Sequence, residues 1–118
     1  MDDSIVTLGI NLTNPFFWLD NYFRHMMTGH PEMSKEEVEA AWEDEYVTIF
    51  NDLNAKPNSQ LDPLPAYFFL ARSEFREVPI KVCFRYIKKR MLIVTAFPVN
   101  EFSLYFNLYY SKKYAKPR

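Results

Sequence analysis

The fold is decided by the stretch Ile80-Lys81-Val82-Cys83-Phe84-Arg85-Tyr86, which is followed by a Lys-Lys-Arg turn and by Leu92-Ile93-Val94-Thr95-Ala96-Phe97-Pro98. Each run has the length of a common strand and the connection is short, which predicts an antiparallel hairpin. Successive side chains of a strand point to opposite faces of a sheet, so Lys81, Cys83 and Arg85 share one face. The pattern predicts a core on one side of the sheet. On the other side it predicts either a functional site or a solvated strand face.

The segments before this hairpin read mainly as two helices. A short strand is predicted from Ser4 to Ile10, because this run is rich in β-branched residues. Thr13 or Asn14 can cap a helix that has Pro15 at its first position, runs from Phe16 to about Met27 and ends at Gly29. The capping box Ser34-Lys35-Glu36-Glu37 starts a second helix at Lys35. We expect the first helix to pack on the hairpin.

Further strands are predicted on both sides of the hairpin. They are Tyr46–Phe50 and Ala66–Arg72, separated by a proline- and asparagine-rich loop over residues 54–65. Phe102 to Tyr109 alternates strictly and predicts a strand, with a helix capped by Asn100 as the alternative. The fold class is therefore α+β, with N-terminal helices packed on an antiparallel sheet of about four strands in one domain, residues 1–118.

Composition excludes several classes of protein. With 118 residues, 48% of them hydrophobic, the chain is long enough to form a core and too apolar to be disordered. The single Cys83 cannot form a disulfide within the chain, and a buried reduced thiol fits a cytoplasmic location. The longest apolar run, residues 64–71, is far shorter than the roughly 20 residues of a membrane helix, so no membrane partner is expected.

Charge is distributed unevenly along the chain. Residues 1–78 carry 5 Lys or Arg against 14 Asp or Glu, whereas residues 79–118 carry 9 Lys or Arg against Glu101 alone. A net charge of −1 therefore hides a basic C-terminal section, which ends in the tail Ser111–Arg118. Such a section can bind nucleic acid. The alternatives are that the two halves neutralise each other across the fold or that the tail is simply solvated.

Five short elements resemble one known family. They are His25-Met26-Met27-Thr28-Gly29-His30-Pro31-Glu32-Met33, the acidic helix Val38–Glu45, the aromatic strand Tyr67–Arg72, the strand Ile80–Phe84 and the terminal Val94–Pro98. In this order and spacing they resemble the barnase–EndoU–colicin–RelE-like nuclease domains. The resemblance covers residues 14–98, and residues 99–118 form a basic extension. Members of this family include toxins and phage-associated proteins.

The resemblance implies metal-independent cleavage of RNA by general acid–base chemistry, without a cofactor. Such a reaction needs a group that moves the proton of the 2′-hydroxyl and cations that stabilise the phosphorane-like charge. His30 lies where the family has its histidine, and either His30 or His25 is expected to act as the acid or base. Lys81 matches the family's strand lysine, and Thr95 would orient a phosphate or base. Arg72 matches the family's strand arginine and, like Lys81, would contact phosphate, whereas Arg85 is added from strand alternation alone. The remaining cations expected to contact phosphate or RNA are Lys88, Lys89 and Arg90.

Two departures and several alternatives stand beside this hypothesis. Gly29 replaces the family's arginine and Phe97 replaces its tyrosine, which weakens catalysis if either group takes part. A histidine at a helix end often caps or packs instead, and Thr95 can be only a strand former. The spacing of His25 and His30 places their rings on different sides of a helix, so no shared metal is expected. The alternative function is a non-catalytic or immunity-type module that uses the same sheet to bind RNA or a protein partner, and an antitoxin is another candidate partner.

Overall fold

Six strands form one mixed sheet in a computed structural model that describes residues 5–115, with side chains to residue 111. The strands are β1 (Ile5–Val6), β2 (Phe16–Phe17), β3 (Thr48–Asn51), β4 (Ala66–Ala71), β5 (Ile80–Ile87) and β6 (Arg90–Pro98). The helices are α1 (Asp20–Gly29), α2 (Lys35–Ala41) and α3 (Leu104–Ala115). The strand order is β1-β3-β4-β5-β6-β2. The α+β class is therefore confirmed.

The predicted antiparallel hairpin of β5 and β6 is confirmed. The two strands are antiparallel neighbours, and Lys88 and Lys89 form a two-residue turn between the paired residues Ile87 and Arg90. The register shifts once, because Cys83 lies opposite Thr95 whereas Phe84 lies opposite Ile93. Val94 is thus an extra residue in β6, the arrangement of a β-bulge.

Helices cover both faces of this sheet. On one face, here called the α1/α2 face, Phe69, Val82 and Phe84 pack against α1 and α2 in an apolar core. On the other, the α3 face, Phe68 packs in a second buried cluster with Tyr109 of α3. Neighbouring residues of β4 thus enter two different cores, as the alternation of a strand requires. The face that the sequence predicts as a site or a solvated surface is partly covered by α3.

The prediction of about four antiparallel strands is not confirmed, because two short edge strands extend the sheet. Phe16–Phe17 pairs with β6 in parallel rather than starting a helix, and α1 begins only at Asp20. The Pro15 carbonyl accepts a hydrogen bond from the Met91 N–H at 2.7 Å. The Arg90 guanidinium also donates to the Asn14 and Phe16 carbonyls. These long-range bonds hold an extended segment where local signals favour a helix.

The start of α2 agrees with the capping prediction. The Ser34 hydroxyl accepts a hydrogen bond from the Glu37 N–H at 3.1 Å. Glu37 does not complete the box, since its buried carboxylate forms a bidentate ion pair with Arg76. This pair connects α2 to the segment between β4 and β5. Removal of either partner would leave a charge without compensation.

The predicted strand over residues 102–109 is wrong, because this segment lies in α3 and the turn before it. The Asn100 side chain accepts a hydrogen bond from the Phe102 N–H, and the Ser103 hydroxyl accepts one from the Tyr105 N–H. The aromatic residues that alternate as in a strand also occur at helical spacing, and Tyr105 and Tyr109 pack against the α3 face. The alternative of a helix introduced by Asn100 is thus close to the observed structure.

Some predictions lie outside the described residues. Ser4, at the start of the first predicted strand, precedes them. The side chains of Lys112, Lys113, Lys116 and Arg118 in the basic tail also lie outside the described part. Among residues 5–115, no helix has the length and apolar character needed to cross a bilayer.

Candidate functional site: a pocket on the α3 face of the sheet

A pocket of about 360 Å³ opens on the α3 face, and it brings together three of the residues predicted from the sequence. His25 reaches it from α1, Arg85 from β5 and Thr95 from β6. Its volume lies in the range of pockets that bind small ligands. Below we call it the β5/β6 pocket.

The bulge at Val94 positions part of this pocket. Thr95 lies opposite Cys83, and both residues line the pocket together with Phe97. The extra residue changes which side chains of β6 point toward the α3 face. A hydroxyl, a thiol and an aromatic ring thus lie along one wall.

A loop that follows β3 forms the opposite wall. Asp52, Asn54 and Lys56 of this loop line the pocket. None of the three was predicted as a site residue, since their segment has no strand or helix pattern. Only the folded chain places this loop over β5.

Arg85 is buried, with 7% of its surface exposed, and it fixes this loop. One guanidinium nitrogen donates to the Asp62 carboxylate at 2.8 Å and to the Leu64 carbonyl at 2.9 Å. The other donates to the Lys56 carbonyl at 3.3 Å. The Arg85 hydrogen bond, with a further one from the Asn58 N–H, lowers the pKa of the Asp62 carboxyl below its ordinary value. Arg85 therefore shapes the pocket through the loop 52–65.

Cys83 lies in the pocket as a protonated thiol. Burial is the main cause that raises its pKa to about 12, against a smaller opposing effect of the Lys81 charge. The thiolate is the nucleophilic form of cysteine, and it forms only well above neutral pH at this position. Cys83 thus contributes a small apolar surface to the pocket.

Lys81 does not line the pocket; its ammonium group lies among aromatic rings beneath α3. Its Nζ atom is 4.0 Å from the ring centre of Tyr105, 4.5 Å from that of Phe68 and 5.8 Å from that of Phe97. Only 8% of the residue is exposed. Cation–π attraction to these rings compensates in part for the lost hydration.

His30 lies at the C-terminal end of α1, beside the pocket rather than in its lining. Its ring centre is 5.3 Å from that of Phe97, and its Nδ1 atom is 3.8 Å from the Glu32 carboxylate. Phe97 thus contacts His30 as well as the Lys81 ammonium. The Phe97 ring therefore lies between two residues predicted to be catalytic.

The remaining predicted cations lie elsewhere. Arg72 donates to the Glu77 carbonyl at 3.1 Å and lines a separate pocket near α2. Arg90 binds the segment before β2, as described above. Lys88 and Lys89 are exposed at the end of the hairpin.

One further polar cluster fixes α3 against the sheet. The Tyr109 hydroxyl donates to the Asp44 carboxylate at 2.6 Å, and the same oxygen accepts the Arg72 N–H at 2.8 Å. Burial, followed by the bond to Asp44, raises the pKa of Tyr109. No pattern in the sequence pairs Tyr109 with Asp44, because the two residues are 65 positions apart.

Within residues 5–115, no group of three or more His, Cys, Asp or Glu side chains is placed to hold a metal ion. No protein-family model, no curated protein and no solved structure matches the chain. The resemblance seen in the His25–Met33 element and in the strands stays a prediction.

Proposed function

We propose that the β5/β6 pocket binds a nucleotide of single-stranded RNA and that the protein cleaves RNA there by general acid–base catalysis. One observation carries this proposal: His25 and Thr95, which come from different elements, line the same pocket. A positioned imidazole is the commonest group that moves a proton in such reactions. The resemblance implies that the reaction needs no metal ion.

His25 takes the role of acid or base in this proposal, in preference to His30. The sequence favours His30 through its place in the family's motif, whereas the pocket contains His25. His30 packs on Phe97 and lies beside Glu32. We assign it a supporting role, in which it orients the Phe97 ring at the edge of the pocket.

Other lining groups fit an RNA ligand. The Lys56 ammonium offers a positive charge to a phosphate, and the Thr95 hydroxyl can donate or accept a hydrogen bond. The Phe97 ring provides a surface on which a base can stack. Stacking of this kind contributes about 1–3 kcal/mol per base in single-strand binding.

A second candidate is a non-catalytic module that binds RNA or a protein on the same face. The charges of Arg85 and Lys81 are already engaged within the protein, by Asp62 and by aromatic rings respectively. Few free cations then remain in the pocket to stabilise a transition state. An immunity-type protein is one version, since Glu36 and Glu39 on α2 and Glu43 just after it are exposed and can face a basic partner.

The experiment is a cleavage assay on a fluorogenic single-stranded RNA, with His25→Ala and His30→Ala as a matched pair. We expect His25→Ala to lower the rate by roughly 10²–10⁴-fold, the usual contribution of a general acid or base. His30→Ala is expected to lower it much less, and cleavage should persist in EDTA.

Both variants must keep the melting temperature of the wild-type protein, so that the loss is not one of folding. A wild-type protein that binds the RNA without cleaving it would support the binding module. Equal rates for wild type and His25→Ala would contradict the proposed role of His25.

A further inference from the structure

The turn between β5 and β6 has a backbone conformation that its residues disfavour. Lys88 has φ 51° and Lys89 has φ 64°, and both lie in the left-handed region. Two positive φ values in a two-residue hairpin loop are typical of a type I′ turn. Such turns strongly prefer Asn-Gly, because other L-residues pay steric strain in this region.

Within the part of the chain that the structure describes, no side-chain contact requires lysine at these positions. The turn makes one long-range backbone contact, in which the Asn11 N–H donates to the Lys89 carbonyl at 2.8 Å. Any residue would supply that carbonyl. Among residues 5–115, the two ammonium groups have no hydrogen-bond or ion-pair partner, and both lysines are exposed.

The charge of the turn is also not neutralised by the elements around it. β5, β6 and the segment 9–14 that packs against the turn contain no Asp or Glu. The adjacent Arg90 adds a third positive charge, although its guanidinium is bound to Asn14 and Phe16. The end of the hairpin is thus a small cationic surface held in a strained conformation.

We infer that Lys88 and Lys89 bind the phosphate backbone of the single-stranded RNA that enters the β5/β6 pocket. A strained non-glycine turn that persists points to a function of the side chains it carries. Arg85 lines the pocket from β5, and Lys88 follows it by three residues, directly after the end of that strand and about 10 Å further along. The identity of the polyanion rests on the function proposed above.

Three double variants separate charge from strain. Lys88→Gln with Lys89→Gln removes the charge and keeps the strain. Lys88→Asn with Lys89→Gly removes both, and Lys88→Arg with Lys89→Arg keeps both. The probe is a fluorescent oligouridylate, and its affinity is measured by anisotropy at several salt concentrations.

We expect the slope of log affinity against log salt to become shallower by about 1.4 in the Gln and the Asn-Gly variants, since each lost phosphate contact on a single strand contributes about 0.7. Raising salt from about 50 to about 200 mM should then weaken these variants about sevenfold less than the wild type. The Arg variant should keep the wild-type slope. The melting temperature should rise in the Asn-Gly variant alone.

The possible outcomes distinguish the role of the turn from the function of the pocket. An unchanged slope in the Gln variant, with RNA still bound, would overturn the role of the turn and leave the pocket function standing. If the slope becomes shallower in the Gln variant but the wild-type protein does not cleave RNA, the role of Lys88 and Lys89 is supported and the proposed catalysis is overturned. A wild-type protein that does not bind the oligouridylate at low salt would overturn both.

Discussion

The α1/α2 face and the α3 face of the sheet are formed by alternate residues of the same strands, yet different interactions hold them. The buried cluster on the α1/α2 face includes Met26, Val38, Phe69 and Phe84, and α2 buries one charge beside it, the Glu37 carboxylate, which pairs with Arg76. The α3 face buries two cations, Lys81 and Arg85, and it contains the β5/β6 pocket. Aromatic rings, among them Tyr105 of α3, compensate the charge of Lys81, and the loop 52–65 compensates that of Arg85.

This difference shows how one strand can serve stability and a binding site at once. Apolar burial is non-directional and depends on area, so the apolar residues of the α1/α2 face need only suitable volumes. A buried charge needs specific partners at defined positions. On the α3 face these partners come from segments far away in the chain, and the space between them is the pocket.

The largest expected effect is a loss of stability on the α1/α2 face. Phe69→Ala should lower the free energy of unfolding by about 3–5 kcal/mol, because Phe69 is fully buried between the sheet and α2. Urea denaturation measures this loss. Phe75→Ala is the matched control, since Phe75 is 57% exposed and its removal should change stability by less than about 0.5 kcal/mol. Similar losses in the two variants would contradict the assignment of the α1/α2 face as the main packed core.

A smaller and pH-dependent effect is expected on the α3 face. Arg85→Met keeps much of the side-chain volume but removes the hydrogen bonds to the Leu64 and Lys56 carbonyls, which should cost about 2 kcal/mol at neutral pH. The Asp62 pKa is lowered in the folded state, so its pairing with Arg85 stabilises the protein above the ordinary pKa of 3.8 and is lost as pH falls through the folded value. Urea denaturation at neutral and at acidic pH checks both parts.

Asp62→Asn is the control for the pH-dependent part of this prediction. It removes the titrating group, so the variant should lack the part of the acid-induced loss of stability that comes from the Asp62–Arg85 pair. Faster hydrogen exchange of the loop 52–65 in Arg85→Met would confirm that the effect lies there. An Arg85→Met protein as stable as wild type at neutral pH would show that the loop does not depend on Arg85.

Much of the fold could be predicted because local signals and tertiary contacts agree. The alternation of Ile80–Tyr86 with the short connection identified the central hairpin, and Ser34 identified the start of α2. The apolar pair Phe16–Phe17 fits a helix as well as a strand. Only its pairing with Met91 and Leu92, about 75 residues away, selects the strand.

The candidate site could be predicted only in part, because contacts between residues far apart in the chain decide which side chains lie together. The sequence predicts His25, Thr95 and Arg85 as site residues, and all three line one pocket. Alternation predicted that Lys81 and Arg85 share a face, but it could not show that α3 and Asp62 bury them. Asp52, Asn54 and Lys56 have no local pattern, because a loop without periodicity gives no information about the strand it covers.

An amide-resolved NMR titration with a short single-stranded RNA tests the central claim most directly, namely that the β5/β6 pocket is the binding site. We expect saturable shifts for amides around the pocket, namely those of Asn54, Ala55, Cys83 and Thr95. Amides of α2, on the opposite face, should not shift. Shifts confined to α2, or no saturable shift in the residues around the pocket, would contradict the account.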